Sequence, residues 1–204
     1  MQTNEVLDEL RWRGLVHQHT EGVQELFASG PVSAYIGFDP TGSSLHVGSL
    51  VPIMILVHLQ RHGHRPIALV GGGTGMIGDP SGKTTERQLL TTEQVAENTR
   101  GIRAQLERFL SFEGASAARM RDNAEWLTPL RLVEFLRDTG KHFTVNYMLQ
   151  KESVRSRMDA GISLPSSPTC CCRRTISSSS SAATACDCNW VAAINGGTSR
   201  RGSS

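Results

Sequence analysis

Residues 32–49, V-S-A-Y-I-G-F-D-P-T-G-S-S-L-H-V-G-S, constrain this chain more than any other stretch. Val32 to Phe38 is a short apolar run with the length and composition of a buried strand. Asp39, Pro40, Thr41 and Gly42 are all turn formers, and the residues after them enter a helix whose first turn carries His46 and Gly48. Strand, tight turn and helix start together make an anion site, because unpaired backbone N–H groups and the helix dipole face one spot. Gly48 leaves bare backbone where a flat ring or ribose can lie close, and His46 adds a donor aimed at the same place.

The flanking sequence supplies the other layers. Asn4 to Arg13 reads as a short helix with Leu7 and Leu10 apolar and Gly14 at its end. Glu21 to Ala28 is a second, with Val23, Leu26 and Phe27 on one face before Gly30-Pro31 breaks it. Leu45 to His62 is predicted helical, with Leu50, Ile53, Met54 and Val57 inward and Gly63 as the stop. Pro52 falls near its first turns, where a proline does least harm. Arg65 to Val70 is the next buried strand. Thr91, with Gln94 three residues on, is a capping box that starts a long helix to about Leu110, carrying Val95, Ile102, Leu106 and Phe109. Thr128-Pro129 opens another, with Leu132, Val133, Phe135 and Leu136 apolar and Gly140 closing it, and Lys151 to Met158 is a last, polar one. Strands alternating with helices imply an α/β fold with a parallel sheet.

A chain of 204 residues suffices for one such domain, and a net charge of +2 does not by itself announce a nucleic-acid binder. The acidic, amphipathic N-terminus lacks the apolar stretch of a signal peptide, and no apolar run reaches membrane-spanning length, so a soluble, cytoplasmic protein is expected. Five cysteines lie beyond Thr169 with no C-x-x-C spacing and no histidine after His142, which argues against a metal site.

Two better-known phosphate motifs lie on the surface of the segment after the second strand. Gly73 to Gly78 fits G-x-G-x-x-G, which makes a nicotinamide-binding domain a rival reading. That reading requires a helix running from the last glycine, whereas Asp79-Pro80-Ser81-Gly82 is turn chemistry. Gly82-Lys83-Thr84 has the end of a P-loop, but the glycine required five positions earlier is Ile77.

Taken together, Tyr35 on the strand, G-F-D-P-T, L-H-V-G and G-G-T-G-M-I-G-D-P-S-G-K resemble the bacterial tyrosyl-tRNA synthetases, a class I aminoacyl-tRNA synthetase family. The resemblance covers residues 1–163 and implies a Rossmann-like catalytic domain, present here in its N-terminal part. It implies tyrosine, ATP with magnesium and tRNA as substrates, a homodimer, and residue roles. Thr41 and His46 would hold the outer phosphates, with Gly48 beside the ribose and Asp39 by nucleotide and amino acid; Gly37, Pro40 and Ser49 would complete the nucleotide side. Lys83 and Arg87, on a flexible loop, would close over the departing pyrophosphate. Tyr35 would bind the substrate's phenolic oxygen, Asp79 its ammonium group, and Leu69, Thr74, Asn123 and Trp126 would line or brace that pocket. Ser49 stands where the family often has a second histidine, and a serine can still donate to ribose or phosphate. A tryptophanyl relative is the nearest enzymatic rival, against which Tyr35 with Asp79 argues for tyrosine.

After Ser163 the character changes. Residues 164–204 are rich in Ser, Ala, Arg and Gly without periodicity, a composition too poor in apolar surface to order itself. They also read as out-of-frame translation. Taking the third base of each codon with the next two, Cys170-Cys171-Cys172 forces two leucines and Asn189-Trp190-Val191 forces Leu-Gly. The residues through Thr198 then permit G-S-D-Q-W-G-N-I, a block the tyrosyl family carries at this point. The chain as written would therefore lack one wall of the tyrosine pocket and be inactive.

Overall fold

Three parallel strands carry the molecule, and their register decides which residues meet. The computed structural model describes residues 5–16, 19, 21–77, 90–138, 140–142 and 144–149. Strand β1 (Ser33–Phe38) pairs with β2 (Arg65–Val70), and β2 pairs with β3 (Arg119–Asp122), in the order β1-β2-β3. Around them lie α1 (Glu5–Trp12), α2 (Val23–Ala28), α3 (Leu50–Arg61), α4 (Gly72–Ile77), α5 (Thr92–Leu106), α6 (Ala124–Leu127), α7 (Leu132–Asp138) and α8 (Val145–Leu149). This is the Rossmann-like α/β arrangement, and its first two strands lie where the hydrophobic runs put them. The described residues include no helix long and apolar enough to cross a membrane.

One core fills one side of the sheet. Leu7 and Leu10 of α1, Phe27 of α2, Ala34 and Phe38 of β1, Ile53, Leu56 and Leu59 of α3, and Ile102 and Leu106 of α5 are all buried in it. Each large aliphatic side chain removed from water there contributes roughly 1.5–3 kcal/mol. Successive strand residues face opposite ways, so Ala34, Ile36 and Phe38 enter this core while Tyr35 and Gly37 take the other face. Pairing carries the division across the sheet, since Tyr35 sits opposite Ile67 and Gly37 opposite Leu69.

The helix expected over residues 45–62 begins later. A single 3-10 turn, Val47–Ser49, precedes α3, and Leu50, expected inward, is 41 % exposed; Ile55 and Leu56 are buried instead. The extra tight turn rotates the helix face by the time Leu50 is reached. Helix α3 stops as expected. Gly63 at φ 80 lets its own N–H reach Gln60 O and the His64 N–H reach Leu59 O, the paired bonds that end a helix through a left-handed residue. Phe109, expected on the inner face of a helix to Leu110, is 42 % exposed, because α5 unwinds after Leu106 and Leu110 turns in. The capping box is present, with Gln94 N–H donating to Thr91 Oγ1 (3.3 Å) and Thr91 N–H to Gln94 Oε1 (2.9 Å). The polar helix expected over 151–158 and the tail from residue 164 lie outside the described residues.

Strand β3 has no hydrophobic run to announce it. Its sequence is R-M-R-D, and it is set in place by what precedes it. Gln60 at the end of α3 donates to Ser111 O (2.7 Å) and Ser116 O (2.8 Å) and accepts from Ser111 N–H (2.9 Å), anchoring the loop that feeds the strand.

Candidate active site

All three strands end at one edge, and several of the predicted site residues follow them: Asp39, Pro40 and Thr41 after β1, Thr74 after β2, and Asn123 and Trp126 after β3. Gly71 N–H donates to Phe38 O and Asn123 N–H to Val70 O, both at 2.9 Å, so the ladder runs one residue past each strand. Asp39, Gly71 and Asn123 thereby stand side by side at the carboxyl ends of parallel strands, where open α/β sheets bind their ligands. A Cβ on Gly71 would lie 3.4 Å from Asp39 Oδ1, so the exposed carboxylate sits over bare backbone.

On the sheet face away from the core, Tyr35 is half-buried and Leu69 buried, with Gly37 exposed between them. Among the described residues, and apart from its own chain neighbours, no atom lies within 4 Å of where a Gly37 Cβ would be. The glycine keeps a space open on the floor beside Tyr35 and Leu69.

The sequence leads one to expect a glycine-rich loop after β2. The structure forms a helix there instead, α4, and the reason is tertiary. Gly72 N–H donates to Asp122 Oδ1 (3.0 Å), and the N–H groups of Gly73 and Thr74 donate to Asn123 Oδ1 (2.7 and 3.4 Å). Gly75 N–H makes the first intrahelical bond, to Gly71 O at 2.7 Å. The orphan amides of this helix start are therefore satisfied by two side chains from the end of β3. Gly73 is hemmed in by Ala124 Cα and Leu127 Cβ, each 3.2 Å from an added Cβ, so its missing side chain serves close packing of α4 on α6. Where a dinucleotide-binding fold needs open amides for a pyrophosphate, this helix presents them to its own carboxylate and amide. The nicotinamide reading fails on that geometry.

Asn123 is 3 % exposed and its Nδ2 also donates to Thr74 Oγ1 (3.2 Å), which in turn donates to Gly71 O (3.1 Å). It braces the edge, and so does Thr74. Trp126, one turn further along, is half-buried, with an indole N–H that has no partner among the described residues.

The turn after β1 carries Thr41, exposed, above a buried Pro40. Thr41 N–H donates to Asp39 O (2.9 Å), and Asn98 Nδ2 of α5 donates to Pro40 O (2.9 Å). Beyond it, His46 caps the 3-10 turn. Its Nδ1 accepts from Gly48 N–H at 3.0 Å, so that nitrogen carries no proton and Nε2–H is the ring's donor. The exposed imidazole lies so close that a Cβ on Gly48 would meet Nδ1 at 2.9 Å. Gly48 thus makes room for His46 itself. The unpaired amides expected at this helix start are in part occupied, Gly48 N–H by the imidazole and Ser49 N–H by His46 O (2.9 Å). Ser49, expected beside a ribose or phosphate, is buried at 9 % exposure. Among the described residues of this turn, His46 Nε2–H and the Thr41 hydroxyl are donors on exposed side chains. Asp79, Lys83 and Arg87 lie outside the described residues.

Sequence reasoning passed over Asp122 and over Asn98 and Gln105 of α5. Gln105 Oε1 accepts from Leu45 N–H and its Nε2 donates to Ser44 Oγ, both at 2.9 Å. The available signal was polar residues with a glycine, Gly101, at one-face spacing on an otherwise amphipathic helix.

Residues 28–166 match the family described as tRNA synthetases class I (W and Y). The tyrosine–tRNA ligase of Anaeromyxobacter dehalogenans (strain 2CP-1) is 60 % identical over 158 residues, which are 78 % of this chain and 38 % of that protein. The ligase of Roseiflexus castenholzii is 58 % identical over 161 residues, with the same coverage of 78 % and 38 %. The chain thus spans about two fifths of the length of these curated relatives. Among solved structures, a C-terminally truncated mitochondrial tyrosyl-tRNA synthetase of Aspergillus nidulans superposes with a TM-score of 0.69 at 26 % identity, covering 80 % of this chain and 50 % of that one. The Archaeoglobus fulgidus tyrosyl-tRNA synthetase complexed with L-tyrosine, at 17 % identity and a TM-score of 0.64 over 85 % of this chain and 52 % of its own, shares the fold. With its parallel sheet, its strand-end residues and this match over most of its length, the chain belongs to the class I tRNA synthetases (W and Y).

Proposed function

We propose that this chain is the N-terminal part of the catalytic domain of a tyrosine–tRNA ligase. The observation that carries the reading is the 60 % identity over 158 residues to a protein of that name. In the proposed reaction a tyrosine carboxylate oxygen attacks the α-phosphorus of ATP, which enters with its magnesium. The bond from that phosphorus to the bridging oxygen breaks, and pyrophosphate leaves. A terminal ribose hydroxyl of tRNA then attacks the tyrosyl carbonyl and AMP departs.

The phosphoryl centre gains negative charge on the way, so positioned donors and cations serve it better than a nucleophile. His46 Nε2–H and the Thr41 hydroxyl suit the outer phosphates, and Lys83 and Arg87 would supply cations for the departing pyrophosphate. Asp39, Gly37, Pro40, Gly48 and Ser49 would shape the nucleotide side; the burial of Ser49 favours a supporting part over a contact. Tyr35 and Asp79 would receive the phenol and ammonium groups of tyrosine, and Leu69 and Trp126 would line the space that Gly37 leaves open. A site that hydrogen-bonds the phenol rejects phenylalanine, because its polar groups would be left unpaired; tyrosyl-tRNA synthetases are the established example of that discrimination. A homodimer in the cytoplasm completes the proposal.

We further propose that residues 164–204 are read out of frame, which the end of the family match at residue 166 supports. The 204-residue chain is then expected to catalyse no tyrosine-dependent exchange of pyrophosphate into ATP. The same coding sequence with its frame restored after Ser163 is expected to do so with tyrosine and not with tryptophan. Exchange driven by tryptophan, or none from the restored protein, would overturn the assignment.

A further inference from the structure

One face of α5 meets the connection between β1 and the His46 turn at residues 40 and 43–45. Asn98 Nδ2 donates to Pro40 O (2.9 Å) at its start. Gly101, one turn on, lies directly against the Ser43 carbonyl: a Cβ there would overlap the oxygen and come within 3.0 Å of the carbonyl carbon. Gln105, another turn on, accepts from Leu45 N–H and donates to Ser44 Oγ, both at 2.9 Å. These three residues are spaced 98, 101 and 105, so they form a row along the helix. They meet residues 40, 43, 44 and 45 in the same order. A loop that lacks secondary structure of its own is thereby bonded at both ends and pressed in the middle.

We infer that Asn98, Gly101 and Gln105 are positioning residues, which fix loop 40–46 and through it the places of Thr41 and His46. Both polar atoms of the Gln105 amide are engaged by the loop, one on the Leu45 amide and one on the Ser44 hydroxyl, so the row acts by holding the loop in place. Because most of the groups held are backbone ones, the Pro40 and Ser43 carbonyls and the Leu45 amide, the loop's side chains other than Ser44 matter less to the clamp than the three helix residues do. That this positioning serves nucleotide binding rests on the proposed function; that the row holds the loop does not.

Two readouts on the 204-residue chain separate these points. In Gln105→Leu, hydrogen exchange at the Leu45 amide is expected to quicken about tenfold, the effect of losing one ordinary hydrogen bond, while β2 amides keep their protection. Gln105→Glu retains the acceptor and is expected to restore Leu45 protection, and Gly101→Ala is expected to loosen residues 43–45. Wild-type protection of Leu45 in Gln105→Leu, or equal loosening of β2, would overturn the inference. Titration with magnesium–ATP is expected to weaken in the order of loop loosening, and an affinity indifferent to a loosened loop would also overturn it. A wild-type chain that binds no magnesium–ATP would count against the proposed function, and the exchange pattern would then decide the clamp.

Discussion

His64 shows how one buried side chain ties local geometry to solution behaviour. Its Nδ1 accepts from Val32 N–H (3.2 Å) and its ring meets Phe27 edge-on at 4.9 Å, so it joins the start of β1 to α2. Burial holds its pKa below the ordinary 6.5, as it does for His58. Protonation would also remove the acceptor that Val32 uses. For a group whose folded pKa is depressed, the unfolded chain binds the proton first, so stability is full above 6.5 and declines as pH falls below it. Melting temperature is expected to drop from pH 7.5 to pH 5.5, and His64→Gln, which has no imidazole to protonate, is expected to flatten that drop. A steeper drop in the variant would refute the assignment. Asn123 makes a second residue-scale case. Its amide oxygen serves two backbone N–H groups and its Nδ2 serves Thr74, all at the end of a buried strand. Asn123→Ala leaves those groups unpaired and is expected to cost about 2–3 kcal/mol in urea unfolding.

At the scale of elements, the decisive contrast is between helices that cap themselves and helices that are capped by others. Helix α5 carries its own start signal, the reciprocal Thr91 and Gln94 bonds. Thr91→Ala is expected to cost about 1 kcal/mol and to raise amide exchange in the first turn of α5 alone. Helix α4, G-G-T-G-M-I, has a poor intrinsic preference for helix and depends on Asp122 and Asn123. By propensity alone, Gly73→Ala would stabilise it by roughly 1 kcal/mol. The 3.2 Å approach of Ala124 Cα decides the sign, because a backbone neighbour cannot swing aside. The substitution is therefore expected to destabilise, by about 1–3 kcal/mol, in denaturant unfolding. A gain in stability would show that α4 and α6 can separate without loss.

On the scale of the whole molecule, apolar surface lies open on the later helices. Leu132 and Val133 of α7 are 71 % and 76 % exposed, and Leu136 and Val145 are also largely in solvent. Exposed patches of this kind mark an unmade contact or an aggregation hazard. The 204-residue chain is expected to scatter light increasingly with concentration, and Leu132→Lys with Val133→Lys is expected to suppress that scattering while leaving the melting temperature nearly unchanged. Unchanged scattering would place the association elsewhere.

What the sequence determined by itself was whatever its local signals encode: β1 and β2 from continuous apolar runs, the end of α3 from a glycine, the start of α5 from its capping box, and the strand–turn–helix around His46 from its order of residue types. Register then followed, because burial of Ala34 and Phe38 puts Tyr35 and Gly37 on the opposite face. Only the tertiary structure decided the rest. β3, R-M-R-D, is a strand because β2 offers an edge and Gln60 anchors its lead-in, neither of which four residues can signal. The glycine run became a helix because side chains some fifty positions away satisfied its amides. Gly48 proved to accommodate the imidazole two residues before it, and Gly101 the loop that carries it. Bonds between residues far apart in the chain leave no periodicity to read, since each partner taken alone has the composition of an ordinary loop or helix.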